Sequence, residues 1–343
     1  MKLKTNLHKT LNIIIRAAII IIAIWFIYNE IFYNSNISNV LASIKTLFHQ
    51  DNFLFYLCFI IILMPINWSV ESIKWKYLIK KLEVISFIKS FKAVLTGITV
   101  SIFTPNRTGE FLGRVFILKK ANHWESIFVT IIGSFSQLLI TIVLGSFSMI
   151  IFLYNNLNYF THISVNVYYG IIFIVIIINI FLLLIYFNIN ILTVVLKKIS
   201  FKRWEEYQKH IKVFSKYSKL ELLNILLLSL LRYFIFSFQF YLLLRLFSVN
   251  IPFFNGIIII SLVYLVLSAI PTVALTELGI RGSIAMYLVK IYFENKGCFV
   301  PEINIGVLSA TTFLWFINLA LPALAGTVFV YNLRFFKSKT KKE

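Results

Sequence analysis

The chain has 343 residues, of which 59% are hydrophobic and only 13% are charged, and its mean hydropathy is +0.87. Soluble proteins carry charges at roughly 25% of positions, so a soluble enzyme, a secreted disulfide-rich module and a disordered regulator are excluded. The net charge of +20 could suggest a nucleic-acid partner. In so apolar a chain, however, basic residues are better explained as cytoplasmic loops that contact anionic headgroups. We therefore expect an all-α polytopic membrane protein with no nucleic-acid partner.

Six apolar segments are long enough to cross a bilayer as helices, because a span needs about 20 residues and a lipid-facing backbone must satisfy its own hydrogen bonds. They are residues 17–33, 53–70, 126–152, 167–187, 222–244 and 305–330. Twenty-five of the 33 Lys and Arg residues fall on one side of these spans, and only Lys45 and Lys296 fall on the other. The positive-inside rule then predicts a multi-pass protein of the cytoplasmic (inner) membrane with both termini in the cytoplasm.

Two further segments, 93–118 and 253–293, are partly apolar but contain charges. The first has cytoplasmic lysines on both flanks and is too short for two crossings, which need about 40 residues. The second must begin and end on the opposite side. We therefore expect two oppositely oriented re-entrant hairpins.

The two hairpins carry similar motifs: a proline, a short polar turn, and then Glu and Arg at i,i+4 with a glycine between them. The motif residues are Pro105, Gly109, Glu110, Gly113 and Arg114 in the first hairpin, and Pro271, Glu277, Gly279 and Arg281 in the second. The spans that flank the hairpins run in opposite directions, which is typical of an inverted-topology repeat. We predict one integral membrane domain over residues 1–343, with repeats at 53–153 and 221–331 and a basic cytoplasmic linker at 188–220.

Six ionisable side chains are expected at membrane depth, where each costs about 2.5–3.5 kcal/mol and usually has a function. They are Arg107, Glu110, Arg114, Arg232, Glu277 and Arg281. A Glu and an Arg four residues apart share one helix face, so the two pairs could simply hold the hairpins together. The arginines nevertheless outnumber the carboxylates, and a guanidinium binds phosphate through two hydrogen bonds. We therefore take the six as candidate substrate-binding residues for an anionic headgroup, with a structural role for the pairs still open.

The sequence offers little for other chemistry. The five histidines and two cysteines do not have the spacing of metal ligands. Nucleotide-binding, zinc-protease and nucleophile-elbow motifs are absent from the sequence. We therefore expect no metal, no cofactor and no enzyme activity.

The first hairpin resembles the P-x-R-x-G-E-x-x-R signature of the lysylphosphatidylglycerol synthase transmembrane-domain family, a flippase-like family, through residues 104–110 (TPNRTGE) and Arg114. The second hairpin is similar to that family's G-x-G-x-R-E region. It departs from that pattern in having Glu277 before Arg281 and Gly282 directly after it. The resemblance covers nearly the whole chain.

That resemblance implies a membrane lipid flippase or transporter that moves an anionic phospholipid or a lipid-linked intermediate between leaflets. In bifunctional members the domain moves aminoacylated phosphatidylglycerol beside a soluble transfer domain, and without such a domain aminoacyl synthesis is not expected here. Two alternatives stay open. One is a non-catalytic membrane partner of a lipid- or glycan-modifying enzyme, and the other is a secondary transporter of a small anion. A cavity that opens sideways to lipid would favour the flippase over the anion transporter.

Overall fold

The computed structural model describes residues 53–102, 104, 107–156, 159–160, 164–188 and 212–330, together with five isolated positions between residues 14 and 25. Most of the expected span at 17–33 and most of the basic linker at 188–220 lie outside these described residues, as does Pro105. Every regular element in the described part of the chain is a helix. The all-α prediction is therefore confirmed.

The helices are α1 Phe53–Ile79, α2 Phe87–Ser101, α3 Gly109–Val115, α4 His123–Asn155, α5 Val165–Phe187, α6 Lys219–Leu246, α7 Phe253–Ala269, α8 Ala274–Asn295, α9 Glu302–Trp315 and α10 Leu321–Val330. A π-helical turn, Phe316–Ala320, joins α9 to α10. Helices α1, α4, α5, α6 and the continuous α9–α10 run are long and apolar enough to cross a membrane. Five of the six expected spans are thus confirmed as helices of that length.

Helix α1 does not end near residue 70, as its lysines led us to expect, but continues to Ile79. The continuing turns bury Trp75, Leu78 and Ile79, so the apolar stripe of the helix persists beyond its first charge. Lys74 lies beyond the expected end of this span at residue 70 and counts among the 25 cations expected in cytoplasmic loops and termini, but it is only 1% exposed. The loop assignment is wrong because Lys74 lies within α1. Its Nζ lies 2.8 Å from Glu71 Oε2 one turn away, so the two charges are buried together.

The first hairpin consists of α2 and α3, which pack closely against each other. A Cβ atom on Gly113 would lie 2.7 Å from the Cα of Gly97 and 2.8 Å from the Thr96 carbonyl oxygen. Contacts this short leave no room for a side chain, so the arms can cross here only because glycine occupies the position. The second hairpin consists of α7 and α8, which also pack together.

A single carboxylate closes the base of the first hairpin. Glu83, in the loop before α2, accepts hydrogen bonds from the backbone N–H groups of Lys119, Lys120 and Ala121 at 3.0, 2.7 and 3.1 Å. Its other oxygen lies 2.7 Å from Lys89 Nζ. The loop that enters the hairpin is therefore bonded to the loop that leaves it.

The two halves of the fold pack by a common scheme. Helix α1 packs on α6, the first arm of each hairpin packs on the last span of the other half (α2 on α10 and α7 on α4), and these are among the most extensive contacts in the described structure. Exchanging the halves converts this set of contacts into itself, which is the pattern that a twofold-related repeat requires. The opposite orientation of the halves across the membrane stays a prediction.

Candidate functional site

A cavity of about 610 Å³ lies between the two hairpins and spans α1, α4, α6 and α9. Three arginines and one carboxylate are part of its wall: Arg107, Arg232, Arg281 and Glu277. Four of the six predicted site residues therefore line one space. Glu110 and Arg114 do not line it but join it through a buried ion cluster described below.

The turns of the two hairpins meet at this cavity. Arg107 Nη2 lies 2.9 and 2.8 Å from the two carboxylate oxygens of Glu277. Glu277 also accepts a hydrogen bond from Arg281 one helical turn further along α8, which is the predicted i,i+4 pair. The side chain of Arg107 is 35% exposed and that of Glu277 only 7% exposed. Arg107 thus lies at the accessible edge of the site, and Glu277 is its buried partner.

Arg107 also has an unusual backbone. Its φ angle is +56°, in the left-handed region that few residues other than glycine, asparagine and aspartate adopt. Such conformations persist where the surrounding structure determines them, and they cluster at functional sites. The ion pair with Glu277 is one contact that holds this residue in place.

A second ion cluster is centred on Glu71. Its Oε1 lies 2.8 Å from Arg114 Nη1, and its Oε2 lies 2.8 Å from Lys74 Nζ and 3.1 Å from Arg232 Nη1. Arg114 also bonds Glu110, the other predicted i,i+4 pair. Three helices, α1, α3 and α6, therefore each bring a cation to a single carboxylate that is 3% exposed.

The Glu71 cluster fixes the position of Arg232 in the cavity wall. The guanidinium carbon of Arg232 lies 4.9 Å from the centre of the Trp68 ring, within the range of a cation–π contact. Its Nη1 lies 3.5 Å from Gln137 Oε1, and Glu71 holds the same nitrogen. These contacts leave Nε of Arg232 without a hydrogen-bond partner.

Other buried polar atoms of the cavity wall are also unpaired in the described structure. Together with Arg232 Nε they are Asn67 Oδ1, Trp68 Nε1, Tyr233 OH, Tyr264 OH, Arg281 Nε and Asn318 Oδ1. Buried polar groups in folded proteins nearly always have a partner. A wall that concentrates unpaired donors beside arginines is therefore suited to a polar, negatively charged ligand.

A local irregularity places Asn318 in this wall. Pro322 lacks the N–H that would bond the carbonyl of Asn318 four residues earlier, and the helix widens into the π-helical turn Phe316–Ala320 at that point. Such turns are frequent at functional sites. Asn318 Nδ2 donates to Gln239 Oε1 at 2.7 Å and Gln239 Nε2 donates to the Ile60 carbonyl at 2.8 Å, so Asn318 is held by the neighbouring spans.

The cavity opens along one face of α4. Ile131, Ser134 and Leu138 line it and are exposed at the protein surface. Their i, i+3, i+7 spacing puts them on one side of the helix. On the neighbouring α7, Ser268 also lines the cavity and is exposed. The cavity therefore reaches the protein surface between α4 and the end of α7.

The predicted motif residues differ in their surroundings. Gly109 and Gly113 lie against the backbone of α2, where a Cβ would clash. A Cβ on Gly279 would meet open space, and Pro271 is exposed in the turn between α7 and α8. Glycine is therefore required sterically in the first hairpin but not at position 279.

Sequence reasoning missed Glu71 and Lys74. The available signal was that Trp68, Glu71, Trp75 and Leu78 recur at helical spacing and form one buried face of α1. We read the first charge as the end of the span, whereas the buried face continues through it. In the part of the chain that the structure describes, no group of three or more His, Cys, Asp and Glu side chains could hold a metal ion.

Comparison with known proteins gives one match. The family model of the lysylphosphatidylglycerol synthase TM region matches residues 13–293, which include both hairpins and the Glu71 cluster. No curated protein and no solved structure matches the chain significantly. The match covers most of the chain and agrees with the helices, the hairpin motifs and the charged cavity. The chain therefore belongs to the family of the lysylphosphatidylglycerol synthase transmembrane region and is a multi-pass membrane protein of this flippase-like family.

Proposed function

We propose that this protein is a lipid flippase or transporter that moves an anionic phospholipid or a lipid-linked intermediate between the leaflets of the membrane. The observation that carries the proposal is the convergence of Arg107, Arg232 and Arg281 in one cavity. Guanidinium groups bind phosphate oxygens through paired hydrogen bonds. On this proposal the headgroup phosphate binds these three arginines, the cargo is a membrane lipid, and the chain catalyses no covalent chemistry.

The position of the cavity supports a lipid over a small soluble anion. Its opening lies along the exposed face of α4 formed by Ile131, Ser134 and Leu138. Helix α4 is long and apolar enough to cross the membrane, and an exposed apolar face of such a helix is suited to contact with acyl chains. A headgroup could then enter sideways while its acyl chains stay in the bilayer.

The arrangement of the hairpins supports a transport pathway. Substrate sites of transporters built from inverted repeats lie near the bilayer midplane, where broken helices from the two repeats meet. Here the turns of the two hairpins meet at the Arg107–Glu277 contact. We propose that both hairpins are re-entrant and that both termini face the cytoplasm, in the inner membrane. The distribution of lysines and arginines supports this orientation.

The alternative of a non-catalytic partner for a lipid- or glycan-modifying enzyme requires no ligand cavity in this chain. Unpaired donors on buried residues such as Trp68 and Arg281 favour binding by the chain itself. A partner enzyme that supplies or consumes the lipid is compatible with that role. The deciding measurement is therefore transport by the purified protein alone.

The experiment is reconstitution into liposomes with a fluorescent anionic phospholipid, followed by quenching from outside. We expect the quenched fraction to exceed that of protein-free liposomes, and Arg107→Gln to remove the excess. Arg107→Lys should show little more excess quenching than Arg107→Gln, since an ammonium lacks the planar fork of a guanidinium. Arg245→Gln is the matched control because Arg245 is exposed near the end of α6 and lies outside the cavity wall. No excess quenching with the native protein, or full activity of Arg107→Gln, would contradict the proposal.

A further inference from the structure

We infer that the cavity selects a phosphate group with two negative charges, as in a lipid phosphomonoester, over a phosphodiester headgroup and over a cationic aminoacyl headgroup. The inference rests on the proposed function and names the substrate class of the same site. It follows from the charge balance of the two ion clusters and from the kinds of atoms that the cavity wall leaves unpaired.

The charge balance is positive in both clusters. Around Glu277, two arginines (Arg107 and Arg281) bond one carboxylate. Around Glu71, three cations meet one carboxylate, and Glu110 adds a second. Each cluster therefore carries one more positive than negative charge, and both contribute arginines to the same cavity wall.

A ligand that neutralises both excess charges has the largest electrostatic gain. Charges interact more strongly in a protein interior than in water because the effective dielectric constant is lower. A phosphomonoester brings about 1.5 to 2 negative charges at neutral pH, a phosphodiester brings one, and a lysine ester of phosphatidylglycerol is cationic overall. The net charge of the site therefore ranks these headgroups in that order.

The unpaired atoms of the wall give the same ranking. Trp68 Nε1, Arg232 Nε, Arg281 Nε and the Tyr264 hydroxyl are donors without a partner, and Arg107 lies at the accessible edge. A monoester offers three terminal oxygens as strong acceptors, whereas a diester has only two. An ammonium group needs acceptors instead, and the unpaired atoms of the wall that can only accept are the amide oxygens of Asn67 and Asn318.

The test uses the purified full chain in nanodiscs and follows the intrinsic tryptophan fluorescence, because Trp68 and Trp315 line the cavity. Four probes are titrated: phosphatidic acid as monoester, phosphatidylglycerol as diester with matched acyl chains, lysyl-phosphatidylglycerol, and inorganic phosphate. We expect phosphatidic acid to bind at least about tenfold more tightly than phosphatidylglycerol at neutral pH. The lysyl lipid should bind more weakly than both.

The pH dependence separates the charge of the ligand from that of the protein. A phosphomonoester loses its second proton with a pKa of about 6, while a diester has no second ionisation. The titratable and charged groups that line the cavity are Arg107 in the hairpin turn, Tyr233 and Arg232 on α6, Tyr264 on α7, and Glu277 and Arg281 on α8. Glu71, Lys74 and Glu110 act on the ligand through the ion cluster that includes Arg232. Any titration of these groups affects both lipids, so phosphatidylglycerol serves as the internal control. The preference for phosphatidic acid should shrink as the pH falls below that pKa.

A variant tests the charge balance directly. Arg107→Gln removes one excess charge from a side chain that is 35% exposed, so the fold should persist. We expect it to reduce phosphatidic acid binding more than phosphatidylglycerol binding, whereas Arg245→Gln should change neither. Equal binding of the two lipids, or a preference that does not change with pH, would overturn the inference.

Failure of this inference can be told apart from failure of the proposed function. If liposomes translocate phosphatidylglycerol as well as phosphatidic acid and both bind equally, the inference is wrong and the transport proposal stands. If inorganic phosphate competes as well as phosphatidic acid and no lipid is translocated, the charge selectivity holds and the cargo is a soluble phosphate.

Discussion

Arg107, in the turn of the first hairpin, donates to both carboxylate oxygens of Glu277 at 2.9 and 2.8 Å, although 170 positions of sequence separate the two residues. Glu277 is at the same time the partner of Arg281. One carboxylate therefore ties together the two halves of the protein and balances a buried arginine within its own half.

The two partners of this contact should differ in their effect on stability. Glu277→Gln leaves Arg281, which is 3% exposed, without a carboxylate, and breaking a buried pair in this way costs about 3–5 kcal/mol. Arg107→Gln leaves Glu277 paired with Arg281 and should cost at most about 1 kcal/mol, because Arg107 is partly in contact with solvent. Thermal unfolding in detergent measures both. Equal losses for the two variants would contradict this account.

The same reasoning predicts which of the two carboxylates around Arg114, Glu110 or Glu71, contributes more to stability. Glu110→Gln leaves Arg114 bonded to Glu71 at 2.8 Å, so its cost should stay below about 1 kcal/mol. Glu71→Gln leaves three cations around a neutral amide and should cost about 3–5 kcal/mol. Chemical unfolding of both variants, followed by the fluorescence of the chain, checks the order. A larger loss in Glu110→Gln would show that Glu71 is not the centre of the cluster.

Two glycines provide a matched pair for packing. Gly113→Ala places a methyl group 2.7 Å from the Cα of Gly97, and such overpacking typically costs about 1–3 kcal/mol. Gly279→Ala places a methyl group in open space within α8, where alanine favours the helix by up to about 1 kcal/mol. The melting temperature should fall in the first variant and stay level or rise in the second. An unchanged melting temperature in Gly113→Ala would show that the close crossing of α2 and α3 is not what position 113 requires.

The Glu83 contact predicts a pH-dependent anchor at the base of the first hairpin. Burial alone would raise the pKa of the Glu83 carboxyl, but the bonds from Lys89 and from the backbone of Lys120 and Ala121 lower it from 4.5 to about 2. Because the folded-state pKa lies below the unfolded one, the stabilisation is complete above pH 4.5 and is lost as the pH falls toward 2.

Amide hydrogen exchange at residues 119–121 measures this anchor when native protein and Glu83→Gln are compared at each pH. The native protein should be better protected near pH 6, and the advantage should shrink on acidification between about pH 5 and pH 2. A protection ratio that stays constant over this range would contradict the role of the Glu83 carboxylate.

The membrane orientation can be tested with single cysteines. Val84 is 78% exposed in the loop before α2 and Lys120 is exposed in the loop after α3, whereas the native Cys298 is exposed near the other end of α8. In a chain without Cys58, we expect Val84→Cys and Lys120→Cys to react only from the cytoplasmic side and Cys298 only from outside. Labelling of either loop from outside would contradict the re-entrant first hairpin.

Local features of this fold could be predicted from sequence. Apolar length predicts the spans, and a separation of four residues predicts the pairs Glu110–Arg114 and Glu277–Arg281, because helix geometry alone brings such residues together. Contacts between distant segments could not. Arg114 bonds Glu71, which lies 43 residues earlier in the sequence, and Arg107 bonds Glu277, which lies 170 residues later. Local periodicity predicts neither of these contacts.

The Glu71 cluster also affects when the end of α1 can insert fully into the membrane. Glu71 and Lys74 are synthesised with the first described span, whereas Arg114 and Arg232 emerge later, on α3 and α6. Until then, the end of α1 carries charges that insertion into a bilayer disfavours by about 2.5–3.5 kcal/mol each. Insertion of the last turns of α1 is therefore disfavoured until α6 is made, and until then a position at the membrane surface or in the insertion machinery costs less free energy. The final depth of this span is then settled only when the second half of the chain arrives.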